Sequence, residues 1–223
     1  MPHPAVALSG HSFYNDLASE WMEHDYNLVL GPFSGWTVTG QAALIDYDSY
    51  FRSPGIASFS VPLLAAGEEL QLLSGEVAWA FRPGFAVAAF YRSYGYDVAE
   101  AGDAYGARFS WSGDSVGAGL YYTRMDGGSD ELQYSEYRGY IKKHFGNVDV
   151  TFDALDVAYD ERINGVKDAY ALVLALGYNV NDRLRLSADG EYGENPYFDE
   201  EVKGMLKLLW RFSTDFGKKG GGS

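Results

Sequence analysis

Hydrophobic and polar residues alternate along the last strongly patterned segment of the chain, residues 202–212. Apolar side chains, among them Leu206 and Leu208, share one parity, and this parity ends in two aromatic residues. Cations, among them Lys203 and Lys207, share the other parity. A period of two places these two sets on opposite faces of a β-strand. The segment therefore predicts a strand with one apolar face and one basic face.

Similar alternation predicts nine further strands upstream, joined in turn by tight turns and by longer connections. The predicted strands are residues 36–47, 69–81, 85–96, 104–111, 115–124, 132–145, 148–159, 167–178 and 183–192. Glycine, proline, asparagine and aspartate mark the breaks between them. About ten antiparallel strands in sequential order are typical of an up-and-down meander, so the sequence predicts an all-β fold.

Two architectures accommodate strands of this kind. A soluble, lipocalin-like barrel buries the apolar face inside, whereas a transmembrane β-barrel turns the apolar face to lipid and the polar face to its lumen. Four longer connections are acidic and carry −11 of the formal net charge of −14. Aromatic residues cluster at the strand ends, with tyrosines near the longer connections and mostly tryptophan and phenylalanine near the tight turns.

The paired aromatic clusters resemble the two interfacial girdles of membrane barrels. They favour an antiparallel, up-and-down transmembrane β-barrel and leave the soluble barrel as an alternative. The predicted girdle residues are Tyr47, Trp79, Tyr96, Trp111, Tyr122, Tyr159, Tyr170, Tyr192, Trp210 and Phe212.

The composition excludes several classes of protein. The chain contains no cysteine, which excludes disulfides and thiolate metal sites. Its net charge of −14 argues against nucleic acid as a partner. No apolar run reaches the roughly 18 residues of a transmembrane helix. The first four residues, Met1 to Pro4, show no signal-peptide pattern, so a location outside the cytoplasm requires a signal that has been removed.

The meander, the acidic connections and the closing Leu208-Leu209-Trp210-Arg211-Phe212 resemble the bacterial outer-membrane β-barrel superfamily. In that superfamily the assembly machinery recognises a last strand that ends in an aromatic residue. The resemblance covers residues 36–212 and is one of pattern. It implies an outer-membrane location, with the lipid bilayer as the surroundings of the barrel.

A different pattern precedes the first predicted strand. Phe13, Leu17 and Trp21 recur every four residues, which predicts a short amphipathic helix. A helix of this length is unstable alone in water, so we expect it to lie along the membrane interface, to enter the barrel as a plug, or to bind a partner. The predicted units are residues 1–35 for this segment, 36–212 for the barrel and 213–223 for a flexible tail.

The polar parity of the strands predicts which charged side chains line the lumen. They are Glu76, Arg82, Arg108, Glu136, Arg138, Lys142, Asp149, Asp153, Arg185, Asp189, Glu191, Lys203, Lys207 and Arg211. Asp156 joins them if a β-bulge near Ala154 shifts the alternation. Both signs are mixed, and the interior of a barrel of about eight strands is filled by side chains. We therefore expect a salt-bridged interior, with a narrow ion-selective channel as the alternative.

Signals for catalysis are weak. His144 lies beside a tight turn, at the wrong end for an omptin-type barrel protease, and the other histidines precede the predicted barrel. No histidine occupies an outward position suited to the Ser/His pair of a lipid-hydrolysing barrel. The acidic run from Asp126 to Asp130 lacks the spacing of a calcium loop. The sequence predicts no enzymatic activity, no catalytic residue, no bound metal and no cofactor.

These observations leave two classes of function open. We expect a structural or interaction barrel that anchors or ensheathes a cell-envelope protein partner. The alternative is a narrow porin-like channel for ions or small solutes. A soluble lipocalin-like binding barrel and a barrel protease are weaker alternatives.

Overall fold

Twelve antiparallel β-strands form one sheet in the computed structural model, which describes residues 5–16, 20–46, 69–97 and 100–212. The strands are β1 (Ala5–Asn15), β2 (Glu20–Phe33), β3 (Trp36–Asp46), β4 (Glu69–Arg82), β5 (Phe85–Tyr96), β6 (Gly102–Ser112), β7 (Val116–Gly127), β8 (Gln133–Phe145), β9 (Val148–Ile163), β10 (Val166–Asn181), β11 (Leu184–Asn195) and β12 (Phe198–Trp210). A single 3-10 turn, Asp130–Leu132, precedes β8.

Each strand pairs with the next one along the chain, so the sheet order is the sequence order. This is the up-and-down meander that the sequence predicts. Within the described ranges no ladder joins β12 to β1. Several outer side chains of these two edge strands are accordingly highly exposed, and Leu206 on β12 reaches 85%.

The strand count corrects the sequence-based prediction of about ten strands. The two additional strands come from the N-terminal segment, where residues 5–15 and 20–33 form β1 and β2 instead of a helix. Phe13 lies on β1 and Trp21 on β2, while Leu17 lies outside the described residues. Phe13 pairs with Glu23, and Trp21 pairs with Tyr14 beyond a register shift, so the two aromatic residues lie on different strands and on opposite faces of the sheet. The helix, and with it the predicted plug, is therefore not formed by residues 5–15 and 20–33.

Tight turns at one end of the sheet connect β2 to β3, β4 to β5, β6 to β7, β8 to β9 and β10 to β11. We call this the short-turn end and the opposite one the loop end. Two connections at the loop end that the sequence predicts to be long are also tight. Asn164 and Gly165 connect β9 to β10 with φ angles of 51° and 89°, and Pro196 and Tyr197 connect β11 to β12. The acidic residues there extend the strands.

The two faces of the sheet differ in exposure. On one face the strands carry small buried side chains, such as Ala104 (4% exposed) and Ala169 (6%). On the other they carry large exposed ones, such as Leu120 (64%). Side chains crowd one another on the concave side of a curved sheet, so we call the first face the inner face and the second the outer face.

Candidate functional site

The inner face concentrates most of the charged side chains of the strands. Register places the following predicted lumen residues there: Glu76, Arg108, Glu136, Arg138, Lys142, Asp149, Asp153, Arg185, Asp189, Glu191, Lys203 and Lys207. Arg211 follows β12 directly and lines a cavity of about 810 Å³ together with Asn179 and Arg185. Arg82 ends β4 just after an irregularity in the ladder with β5.

Asp156 departs from the predicted arrangement. The β8–β9 ladder runs without a bulge from Tyr134–Tyr159 to Phe145–Val148, and Asp156 pairs with Tyr137 on one side and Tyr170 on the other. Asp156 therefore lies on the outer face. The expected bulge near Ala154 is absent from this ladder, so the alternation is not shifted.

Ion pairs on the inner face join neighbouring strands or strands separated by one. Arg138 on β8 donates to Asp153 on β9 through Nε (2.9 Å to Oδ1) and Nη2 (2.6 Å to Oδ2). Lys207 on β12 contacts Asp189 on β11 at 3.0 Å. Lys203 lies 3.3 Å from Glu191 and 2.9 Å from Glu201. These pairs lie along the wall formed by the sheet.

Two arginines reach across an intervening strand. Arg108 on β6 contacts Glu76 on β4 at 2.5 Å. Arg185 on β11 contacts Asp149 on β9 at 2.5 Å, and His144 contacts the other oxygen of the same carboxylate. The guanidinium of Arg185 passes over Gly177 of β10, where a Cβ atom would collide with it. Glycine at this position therefore permits the pair.

Long side chains lie over glycines elsewhere on the inner face. The aliphatic stem of Lys142 covers Gly117 of β7, and the ring of Tyr140 covers Gly119. Lys142 has no ion pair within the described part of the chain. The strands β7 and β10 thus provide a floor of small residues on which larger side chains from β8 and β11 rest.

Sequence reasoning missed several inner-face residues. Arg92 on β5, His144 on β8 and Glu201 on β12 share the inner parity of their strands, so alternation alone was sufficient to find them. Glu23 and Asp25 on β2 were missed because the segment was assigned to a helix. Asp25 accepts hydrogen bonds from the Gln41 and Asn27 amides at 3.0 Å each.

The outer face carries aromatic residues near both ends of the strands. At the short-turn end Trp36 stacks on Trp79 with ring centroids 5.2 Å apart, and Trp111 and Trp210 share this face. Toward the loop end the outer tyrosines include Tyr91, Tyr105, Tyr122, Tyr137, Tyr170 and Tyr192.

Two of the predicted girdle residues lie on the other face. Register places Tyr96 and Tyr159 on the inner face, opposite Leu70 and Tyr134 respectively, which corrects their assignment to the girdle. Phe212 follows the end of β12 and contacts Trp210. Tyr47 lies outside the described residues.

Beyond the tyrosines, the outer face has a charged pair at the loop end. The two Arg124 terminal nitrogens donate to the two Asp160 carboxylate oxygens at 2.7 and 2.5 Å across β8. This bidentate hydrogen bonding holds the pKa of the Asp160 carboxyl below its usual value. The pair fixes the extension of β9 against β7.

A serine and a histidine also meet on the outer face. Ser12 and His24 are directly paired across β1 and β2, and Ser12 Oγ lies 2.7 Å from His24 Nδ1 and 2.7 Å from the Tyr26 hydroxyl. His24 was predicted to lie on a helix, so no histidine was expected on the outward face of a strand. Within the described residues no carboxylate contacts His24, so the third member of a catalytic triad is missing there.

Comparison with known proteins identifies a similar fold but no protein family. No protein-family model matches the sequence, and no curated protein is similar to it. A NanC porin structure aligns with a TM-score of 0.50 and 11% identity, over 94% of this chain and 100% of that chain. The fold of this sheet is similar to that of the NanC porin. At this identity the likeness concerns the fold alone.

Two further solved porins are similar in arrangement. The KdgM porin aligns over 86% of this chain and 96% of its own, with a TM-score of 0.44 and 10% identity. The anion-selective porin from Comamonas acidovorans has a TM-score of 0.49 and 13% identity, and the match covers 82% of this chain and 52% of that chain. Within the described ranges of this protein, no helix has the length and hydrophobicity needed to span a membrane.

Proposed function

We propose that the chain closes into a twelve-stranded β-barrel in the bacterial outer membrane and passively conducts ions and small polar solutes. Closure requires β12 to pair with β1, which antiparallel, even-numbered strands permit. The start of β1 and the end of β12 then lie at the short-turn end. The outer face, with an apolar band between aromatic residues, faces lipid, and the charged inner face lines the lumen.

The main support for conduction is that the inner-face ion pairs join strands that are close together in the sheet. Arg138–Asp153 and Lys207–Asp189 join adjacent strands, and Arg185–Asp149 spans one strand. A side-chain plug would require pairs between opposite walls. Pairs along the wall satisfy the charges and leave the centre of the barrel to water.

The number of strands and the size of the inner side chains support the same function. Barrels of about eight strands are filled by their own side chains, whereas the lumen widens with strand number. The inner face of β10 presents small residues, including Ala171 and Ala175. The expectation of a filled interior rested on fewer strands.

Conduction replaces anchoring as the main function because of these features. The N-terminal segment, for which binding a partner was one of three expectations, is instead part of the sheet. The fold similarity is to a protein named as a porin, which supports conduction. The protein is proposed to have no enzymatic activity.

Single-channel recording in planar lipid bilayers tests the proposal. We expect discrete current steps from the purified full-length chain. Val173→Trp places a bulky side chain on the inner face and should lower the conductance, whereas Leu174→Trp, one residue along on the outer face, should leave it unchanged. Absence of steps from a folded, inserted protein, or equal conductance in both variants, contradicts conduction through this lumen.

A further inference from the structure

The signs of the inner-face charges differ between the two ends of the strands. Near the short turns the inner face carries the cations Arg108, Lys142, Arg185, Lys207 and Arg211, and the carboxylates Asp149, Asp153 and Asp189. We call this the basic half. Each of these residues lies within about six positions of a short turn or of the end of β12, so they form one zone.

Carboxylates dominate the inner face toward the loop end. Glu23, Asp25, Glu136, Glu191 and Glu201 lie there. The inner cations at this level include Arg92 and Lys203, and Lys203 is neutralised by contacts with two of the glutamates. We call this the acidic half. The acidic connections at the same end add to its negative potential.

The ion pairs do not cancel the difference between the halves. In the basic half Lys142 and Arg211 have no ion pair within the described residues. In the acidic half Glu136 has none. The lumen therefore carries fixed charges of opposite sign in series along its axis.

We propose that this charge arrangement makes the channel rectify ionic current, with a larger current when the loop side is positive. The inference rests on the proposed conduction. Fixed charges in a narrow passage concentrate counter-ions, so the acidic half is enriched in cations and the basic half in anions.

The direction of rectification follows from ion supply at the junction of the halves. When the loop side is positive, cations enter from the acidic half and anions from the basic half, and both accumulate where the halves meet. With the opposite polarity both ions leave the junction, and the depleted zone limits the current. Salt screens the fixed charges, with a Debye length of about 10 Å at 0.1 M and about 3 Å at 1 M.

Current–voltage curves of single channels test the inference. In symmetric 0.1 M KCl we expect the current at one polarity to exceed that at the other by about twofold, and in 1 M KCl by almost nothing, because screening shortens the reach of the charges. Since the chain has no cysteine, Asn164→Cys at the loop end identifies the loop side by its reaction with a bulky impermeant maleimide added to one chamber.

Variants locate the source of the asymmetry. Lys142→Gln combined with Arg211→Gln removes unpaired charge from the basic half and should bring the current ratio close to one. Lys143→Gln is the control, because it removes the same charge from the next residue, which lies on the outer face against Phe145.

The possible outcomes distinguish a failure of the proposed rectification from a failure of the proposed conduction. Channels with equal currents at both polarities in 0.1 M KCl overturn rectification and leave conduction intact. A loss of rectification in Lys143→Gln as large as in the double variant also overturns it, because the charge would then act from outside the lumen. Absence of any current steps contradicts the proposed conduction itself.

Discussion

A row of directly paired residues connects Val6 on β1 to Tyr170 on β10 across nine successive antiparallel ladders. Val6 is the second residue of its strand from the short-turn end, whereas Tyr170 is the fifth residue of its strand from the loop end. Directly paired residues therefore lie progressively closer to the loop end from β1 to β10. This stagger is what closure of a sheet with tilted strands requires.

The stagger predicts the register in which β1 meets β12. A strand tilt of 35–45° corresponds to a shear of about 12–16 residues for twelve strands. A shear at the lower end of that range places His11 opposite Lys207 or Leu209. We expect His11→Cys to form a disulfide with one of Lys207→Cys and Leu209→Cys in the folded protein, measured by mobility on a non-reducing gel.

A third cysteine variant controls for disulfides that form by random collisions between cysteines. Tyr26→Cys, on β2 and away from the edge, should not cross-link to either β12 position. Cross-links that form only between two molecules would show that the edges pair between copies, and the proposed closure would then be wrong.

The lipid-facing assignment predicts a large effect at the middle of β10. Leu174 lies on the outer face, and Leu174→Arg should lower the free energy of unfolding by roughly 2–4 kcal/mol, since it exposes a charge to hydrocarbon. Ala175→Arg is the control, because Ala175 lies on the inner face opposite Asp189. Denaturant titration in lipid bilayers measures both. Equal stability of the two variants would contradict the assignment of the faces.

The Arg185–Asp149 pair predicts a smaller effect. Both side chains are about one-third exposed, so solvent screens the pair, and Arg185→Gln should lower the free energy of unfolding by about 0.5–1 kcal/mol. A double-mutant cycle with Asp149→Asn isolates the interaction between the two groups. Lys142→Gln, which breaks no ion pair, should leave stability unchanged. A coupling energy of zero would mean that the pair does not form in the membrane.

The Ser12–His24 pair predicts a negative result. The hydrogen bond brings a nucleophile and a base together, but no carboxylate among the described residues orients the imidazole. We therefore expect a fluorophosphonate probe to label the parent no more than Ser12→Ala, as measured by mass spectrometry of the labelled peptides. Labelling of Ser12 that disappears in His24→Ala would establish a reactive serine and reopen the question of hydrolytic activity.

Much of the sheet could be predicted from the sequence because a period of two survives in every strand. β12 carries Leu206 on the outer face and Lys207 on the inner face, as alternation predicts. The charged inner residues of β8, β9 and β11 follow for the same reason. Turn residues such as Gly146 and Asn147 separate these strands clearly, so their boundaries were also accessible.

Other features depend on information that a local pattern does not contain. The helical spacing of Phe13 and Trp21 is a coincidence, because the two residues lie on separate strands that pair with each other, and β2 also pairs with β3. A bulge near Ala154 was expected because the apolar residues of this segment change parity, from Val148, Val150 and Phe152 to Leu155, Val157 and Tyr159. The register of Asp156 instead depends on the partners Tyr137 and Tyr170. Predicting which charged side chains pair along the wall requires the distances between strands, and alternation does not provide these distances.

The hairpin formed by β9 and β10 extends past the level of the outer tyrosines and ends at Asn164 and Gly165. Its stem is held from outside by Arg124 and Asp160, so the tip is a defined structure on a rigid support. Exposed turn tips tolerate added residues because their backbone makes few contacts with the rest of the fold. A foreign peptide inserted between these two residues would therefore be displayed as an epitope at the loop end of the proposed barrel.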